Sequence, residues 1–128
     1  MTGPHESFPI DRDMEADVSP PTAFPVSSTL RPKLSRYLSQ FPFVHAAYLA
    51  QFVYIGEIDA RVGTRPCLTV GVVVNTPDGE RLVTELSRGG GPVVSGELGE
   101  WRFLDWYPVT PARERAFANA GPPFFVRS

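Results

Sequence analysis

The sequence predicts an α+β fold of two layers, a mainly antiparallel sheet of about four strands with helices packed on one face. Three observations carry this. Apolar residues recur at three- and four-residue spacing around Leu34, they alternate through "VHAAYLAQFVY" (44–54), and "CLTVGVVV" (67–74) is dense in valine. Read in order, the elements are helix, strand, strand, helix, strand, helix.

Residues 1–27 hold Pro4, Pro9, Pro20, Pro21 and Pro25 among scattered acids, a composition expected to form a solvated N-terminal tail. Phe8, Ile10, Val18 and Phe24 are the apolar exceptions that give such a tail a means of docking. The domain proper is expected over 28–128. Ser28 or Thr29 suits a helix N-cap, Pro32 fits the first turn, and Leu30, Leu34, Leu38 and Phe41 form one apolar stripe. Pro42 ends that helix, and a long strand over about 43 to 55 follows, rich in β-branched and aromatic residues. The polar link to "CLTVGVVV" is too short for a helical crossover, so an antiparallel hairpin is expected.

"NTPDG" (75–79) is a turn, and Asp78 suits the N-cap of a helix carrying Leu82, Val83 and Leu86 to Arg88. Gly89, Gly90 and Gly91 are expected to stop it. A short strand at Val93 and Val94, a turn, and a stronger strand over about 100 to 106 come next. A last helix spans 111–120 with Gly121 as its C-cap, and Pro122 and Pro123 then force an extended segment that can lie against the core.

Composition narrows the function. The 128 residues suit one domain, and 42% hydrophobic with 20% charged content is that of a folded chain. Twelve basic against fourteen acidic residues leave a net charge of -2, which concentrates neither nucleic acid nor anionic lipid. No apolar run is long enough to suggest a membrane span, and the N-terminus has acids and prolines where a signal peptide has a basic start and an apolar stretch. With a single cysteine, Cys67, these features lead us to expect a cytoplasmic protein.

Catalytic signals are weak. His45 and Cys67 could pair as imidazole and thiolate, but no third orienting group is visible. "RGGG" (88–91) has the composition of a phosphate loop with the helix on the wrong side. Two histidines and one cysteine show no metal-ligand spacing, so neither metal nor cofactor is expected. The paired acids, such as Asp11 with Asp13 and Glu97 with Glu100, lack apolar surroundings that would tune a carboxyl for acid catalysis.

The aromatics say more. Strands at 43–55 and 100–106 carry bulky residues on both sides, whereas a sheet with helices on one face needs only one apolar face. The second face then needs a cover, either the chain's own termini or another protein. Tyr48, Phe52, Tyr54, Trp101 and Trp106 are the candidate contact residues, since aromatics commonly anchor interfaces. His45, Gln51 and Asp105 are the candidates for a polar ligand pocket within these strands.

"RPKLSRYLSQFPFVHAAYLAQ", "LDWYPV" and the closing "GPPFFVRS" resemble the C-terminal domain of the enhanced serine sensitivity (SseB) family. The matching positions are Val44, Ala47, Tyr48, Leu49, Ala50 and Gln51, then Pro123, Phe124, Phe125 and Arg127. Phe125 stands where that family usually has tyrosine, and Val126 intervenes before the basic residue. The resemblance spans about residues 29 to 128 and implies an α+β domain with no established catalytic residues. The expectation is therefore a non-catalytic interaction or regulatory module that binds a protein partner, or its own copy, through an aromatic sheet face or a sheet edge. The alternative is a small-molecule, amino-acid-sensing domain or minor enzyme.

Overall fold

The structure, a computed structural model, describes residues 6–11, 14–56 and 66–127, with side chains from residue 17 onward except 54–56. Its elements are β1 Glu6–Asp11, β2 Met14–Ser19, α1 Leu30–Leu38, β3 Val44–Gly56, β4 Cys67–Val74, α2 Gly79–Val94, a 3-10 turn Gly99–Trp101, β5 Leu104–Val109, α3 Pro111–Ala120 and β6 Phe125–Val126. The fold is α+β around one open sheet, ordered β1-β2-β3-β4-β5 with β6 also on β3. Every pairing is antiparallel except β4 with β5, which are parallel because α2 carries the chain back between them.

Strand β3 organises the molecule. Along one edge it pairs with β4, as the hairpin expectation requires, in a register that sets Val44 opposite Val74 and Phe52 opposite Cys67. Along its other edge it pairs with β2 over Gln51 to Gly56 and with β6 at Ala46 and Ala47. The alternation of β3 now has its explanation. Ala47 and Leu49 pack with Leu30, Leu34 and Leu38 of α1 and with Val83, Leu86 and Val94 of α2. Tyr48, Ala50 and Phe52 pack on the opposite face with Ala116, Phe117 and Ala120 of α3.

The class is the predicted one, while the layering is richer. Helices α1 and α2 cover one face and α3 the other, so the second apolar face is covered from within the chain. A cluster of rings fills that side. Phe117 lies 5.6 Å from Phe52, 5.9 Å from Tyr107 and 6.1 Å from Tyr48, centroid to centroid. Room for it comes from Gly71 in β4, where an added Cβ would stand 2.4 Å from Phe117 Cε1.

Three local expectations are corrected. The N-terminal segment expected as a tail contributes β1 and β2, with Val18 fully buried under α3, because the edge of β3 away from β4 offers its backbone groups from Gln51 to Gly56 to a further strand. Helix α2 does not stop at the glycines but continues through Pro92 to Val94, which removes the expected strand there. Close packing explains two of the three glycines. A Cβ at Gly89 would meet the Tyr37 hydroxyl at 2.5 Å, and one at Gly90 would meet Cζ2 of Trp106 at 2.5 Å. Finally, β5 begins at Leu104 rather than near 100, because Trp101 belongs to the 3-10 turn and Arg102 takes a left-handed backbone with φ of 70°.

Candidate functional site

The five aromatic contact candidates divide between core and groove. Tyr48, Phe52 and Trp101 are 6%, 0% and 3% exposed, so they hold the protein together and offer no surface to a partner. Trp101 donates from Nε1 to the Pro25 carbonyl at 3.0 Å and meets Phe24 edge to face, pinning the segment before α1. The Tyr48 hydroxyl donates to Glu114 Oε2 at 3.0 Å, and burial together with that carboxylate pushes its pKa up to about 12. The side chain of Tyr54 lies outside the described residues. Only Trp106 is both partly exposed and part of a cavity wall.

The three pocket candidates do not converge. His45 is exposed at a bulge, and its carbonyl accepts from the Arg127 amide. Gln51 Oε1 accepts the Thr22 and Ala23 amides at 3.0 and 2.9 Å, so it ties down the chain beyond β2. Its alternation with Ala47 and Leu49 puts it on the α1/α2 face. Asp105 alternates with Leu104 and Trp106, which pack on that face, so its side chain takes the other one. Although much of Asp105 is exposed, desolvation raises the pKa of its carboxyl against the lowering effect of a hydrogen bond from the Cys67 thiol. His45 and Cys67 sit at opposite ends of the β3/β4 ladder, about 20 Å apart at roughly 3.3 Å per residue, which removes the imidazole–thiolate pair.

What the fold does assemble is a groove along β5. Among the described residues this strand ends the sheet, with β4 on one side and no further strand on the other. Beside it lies α2, and between the two run connected cavities of about 880 and 790 Å³ that share Ser87, Leu104 and Trp106 as walls. The first also touches Glu80, Thr84, Asp105, Thr110 and Arg113. The second is bounded by Gly91, Val94, Leu98 and Phe103, with Arg102 as its one charged wall residue. Phe103 is 76% exposed, the most exposed of the large apolar side chains among the described residues.

The groove is braced from behind by polar contacts. Glu97, in the loop between α2 and the 3-10 turn, accepts from Ser27 Oγ at 2.7 Å, from the Thr29 hydroxyl, and from Lys33 Nζ at 2.8 Å. Lys33 first, then the two hydroxyls, lower its pKa to about 2, so it stays ionised. Thr29, the N-cap of α1, thus spends its hydroxyl on Glu97 rather than on a backbone cap. Tyr37 donates to the Leu86 carbonyl at 2.8 Å and lies 6.3 Å from the Trp106 ring, fixing α1, α2 and β5 together.

Sequence reasoning missed Gly91, Arg102 and Phe103. The available signal was a third consecutive glycine inside an amphipathic helix. Gly91 differs from its two predecessors in having nothing within 4 Å of the place a Cβ would take. Among the described residues no group of three or more His, Cys, Asp or Glu could hold a metal ion, and no helix is long and apolar enough to cross a membrane. No family model, curated protein or solved structure matches the chain.

Proposed function

We propose that the chain is a non-catalytic interaction module that binds an extended segment of another protein along the edge of β5. The observation that carries this reading is a strand that, among the described residues, ends the sheet beside a helix-walled, partly apolar groove. Addition of a strand to such an edge uses main-chain hydrogen bonds for affinity and recesses for alternate side chains for specificity. Pro108, which has no amide hydrogen, fits an edge strand and limits pairing to its first part. The resemblance of the β3 and C-terminal segments to the SseB C-terminal domain implies no catalytic residues, which agrees with a non-catalytic reading. Of the two surfaces the aromatic content suggests, the edge is favoured, because α3 already occupies the ring-bearing face.

Amide NMR tests this directly. Peptides selected from a random display library on the wild-type protein are expected to shift the amides of Leu104 to Tyr107 and of α2 near Ser87 and Gly91. Selected peptides that shift only other regions, or a library that yields no binder, would overturn the reading.

A further inference from the structure

Resting on that reading, we infer that the segment bound along β5 is the β5 strand of a second copy of this chain, the two copies being related by a two-fold axis that continues the sheet from one to the other. Groove geometry supplies the first argument. Because α2 carries the chain back between parallel strands, its start lies beside the end of β5 and its end beside the start. Glu80 accordingly borders the first cavity with Thr110, and Val94 borders the second with Phe103. Ser87, Leu104 and Trp106, the walls common to both cavities, mark the middle. A two-fold axis there lays a second β5 antiparallel to the first and exchanges the two cavities, so each half of the groove meets the opposite half of the other copy. Phe103, 76% exposed, is thereby carried to the first cavity of the other copy, where Pro108 and Ala112 give it apolar walls.

Charge supplies the second argument. Arg102 borders the second cavity and Glu80, near Arg113, the first, and neither Arg102 nor Glu80 has an ion-pair partner among the described residues. The exchange brings Arg102 of each copy to Glu80 of the other, so the pair forms twice. Charge also selects the register. The axis keeps each face of the sheet on its own side, so one residue of β5 has to stand opposite itself. Asp105 in that place would set like charges together, which is unfavourable. Trp106, one of the shared walls, avoids this and sets Leu104 opposite Pro108 and Asp105 opposite Tyr107.

Helix packing supplies the third argument. Helix α2 packs against β5, and paired strands stand only about 4.8 Å apart, so the α2 helices of the two copies come side by side across the axis. Close approach of two helices, to roughly 8–10 Å, needs small residues at the contact. Thr84, Ser87 and Gly91 supply them, spaced three and four apart on the face of α2 that lines the groove. Nothing lies within 4 Å of the place a Cβ would take at Gly91, and the second helix covers that bare stretch.

Analytical ultracentrifugation of the full chain, combined with amide hydrogen exchange, tests the inference. The expected result is a dimer whose share rises with concentration, with protection of the β5 amides rising in step. Arg102→Glu and Glu80→Arg, each melting near wild type, should each raise the dissociation constant more than about tenfold, since two exposed pairs turn repulsive at once. The double variant restores both pairs with their signs exchanged and should recover most of that loss. A dimer that neither single variant weakens, that the double variant fails to restore, or that leaves exchange at β5 as in the monomer would overturn the inference. A monomer at every concentration whose β5 amides still shift with selected peptides would also overturn it and leave the edge reading standing. A monomer that selects no such peptide would overturn both.

Discussion

Nη2 of Arg127 donates to the Phe41 carbonyl at 2.8 Å, while Nε of the same guanidinium donates to the Val44 carbonyl at 2.8 Å. The side chain thereby bridges the turn between α1 and β3. Nη2 also approaches the carbonyls of Leu38 and Ser39, at 3.4 and 3.3 Å, at the C-terminal end of α1 where its dipole is negative. Its guanidinium carbon lies 5.5 Å from the centre of the Phe125 ring. A planar fork with several donors is suited to this arrangement in a way that a lysine ammonium is not.

Arg127→Ala should therefore destabilise the fold by about 1.5 to 3 kcal/mol, the range for hydrogen bonds from a charged group, and Arg127→Lys should recover less than half of that. Urea denaturation of the three proteins checks it. Equal stability of Ala and wild type would mean that water replaces the clasp without loss.

Gly71→Ala should cost about 1 to 3 kcal/mol, because the added methyl meets Phe117 at 2.4 Å and Val109 Cγ2 at 2.8 Å in a filled interior. Thermal denaturation measures it. Combining it with Phe117→Leu should cost less than the sum of the two single changes, since the smaller side chain vacates the contested volume.

Gly90 and Gly91 should respond to alanine with opposite signs. Gly90→Ala drives a methyl toward the Trp106 ring at 2.5 Å and is expected to destabilise. Gly91→Ala finds open space in an exposed helical position and should stabilise by up to about 1 kcal/mol. Calorimetric melting of both single variants gives the signs, and destabilisation of both would mean that the glycines relieve a strain of the helix itself.

The carboxyl of Glu97 has a folded pKa near 2 against an ordinary value of 4.5. A depressed pKa gives stability that is fully present above the unfolded value and is lost as pH falls from about 4.5 toward 2. Glu97→Gln should be less stable than wild type at neutral pH and should lose less on acidification through that window. Denaturant titrations at pH 6 and pH 3 check it, and parallel losses in both proteins would remove Glu97 as the source.

Much of the scaffold was legible in the residues. The stripe Leu30, Leu34, Leu38 reads as a helix, and Pro111 with Gly121 brackets another, because these signals are local and tertiary packing agrees with them. The glycine run was misread because propensity says stop, whereas Tyr37 and Trp106, distant in sequence, make small residues the ones that fit within a continuing helix. The N-terminal strands escaped for a related reason. Val18 is one apolar residue among prolines and acids, and it gains meaning only opposite Phe52 on the edge of β3 away from β4, under α3. The groove was hidden more deeply, since its walls come from α2, β5 and the start of α3, and no local pattern records that they face one another.

That β6 sits on β3 bears on how the chain acquires its shape during synthesis. Arg127 and Val44 are 83 positions apart, so the turn after α1 is made early and secured late. While residues near 127 are still within the ribosome, the nascent chain can form the β3/β4 hairpin but leaves a stretch of β3 bare beside it. Completion therefore waits for the segment near 127 to emerge, and until then that bare stretch is open to chaperones and to other nascent chains.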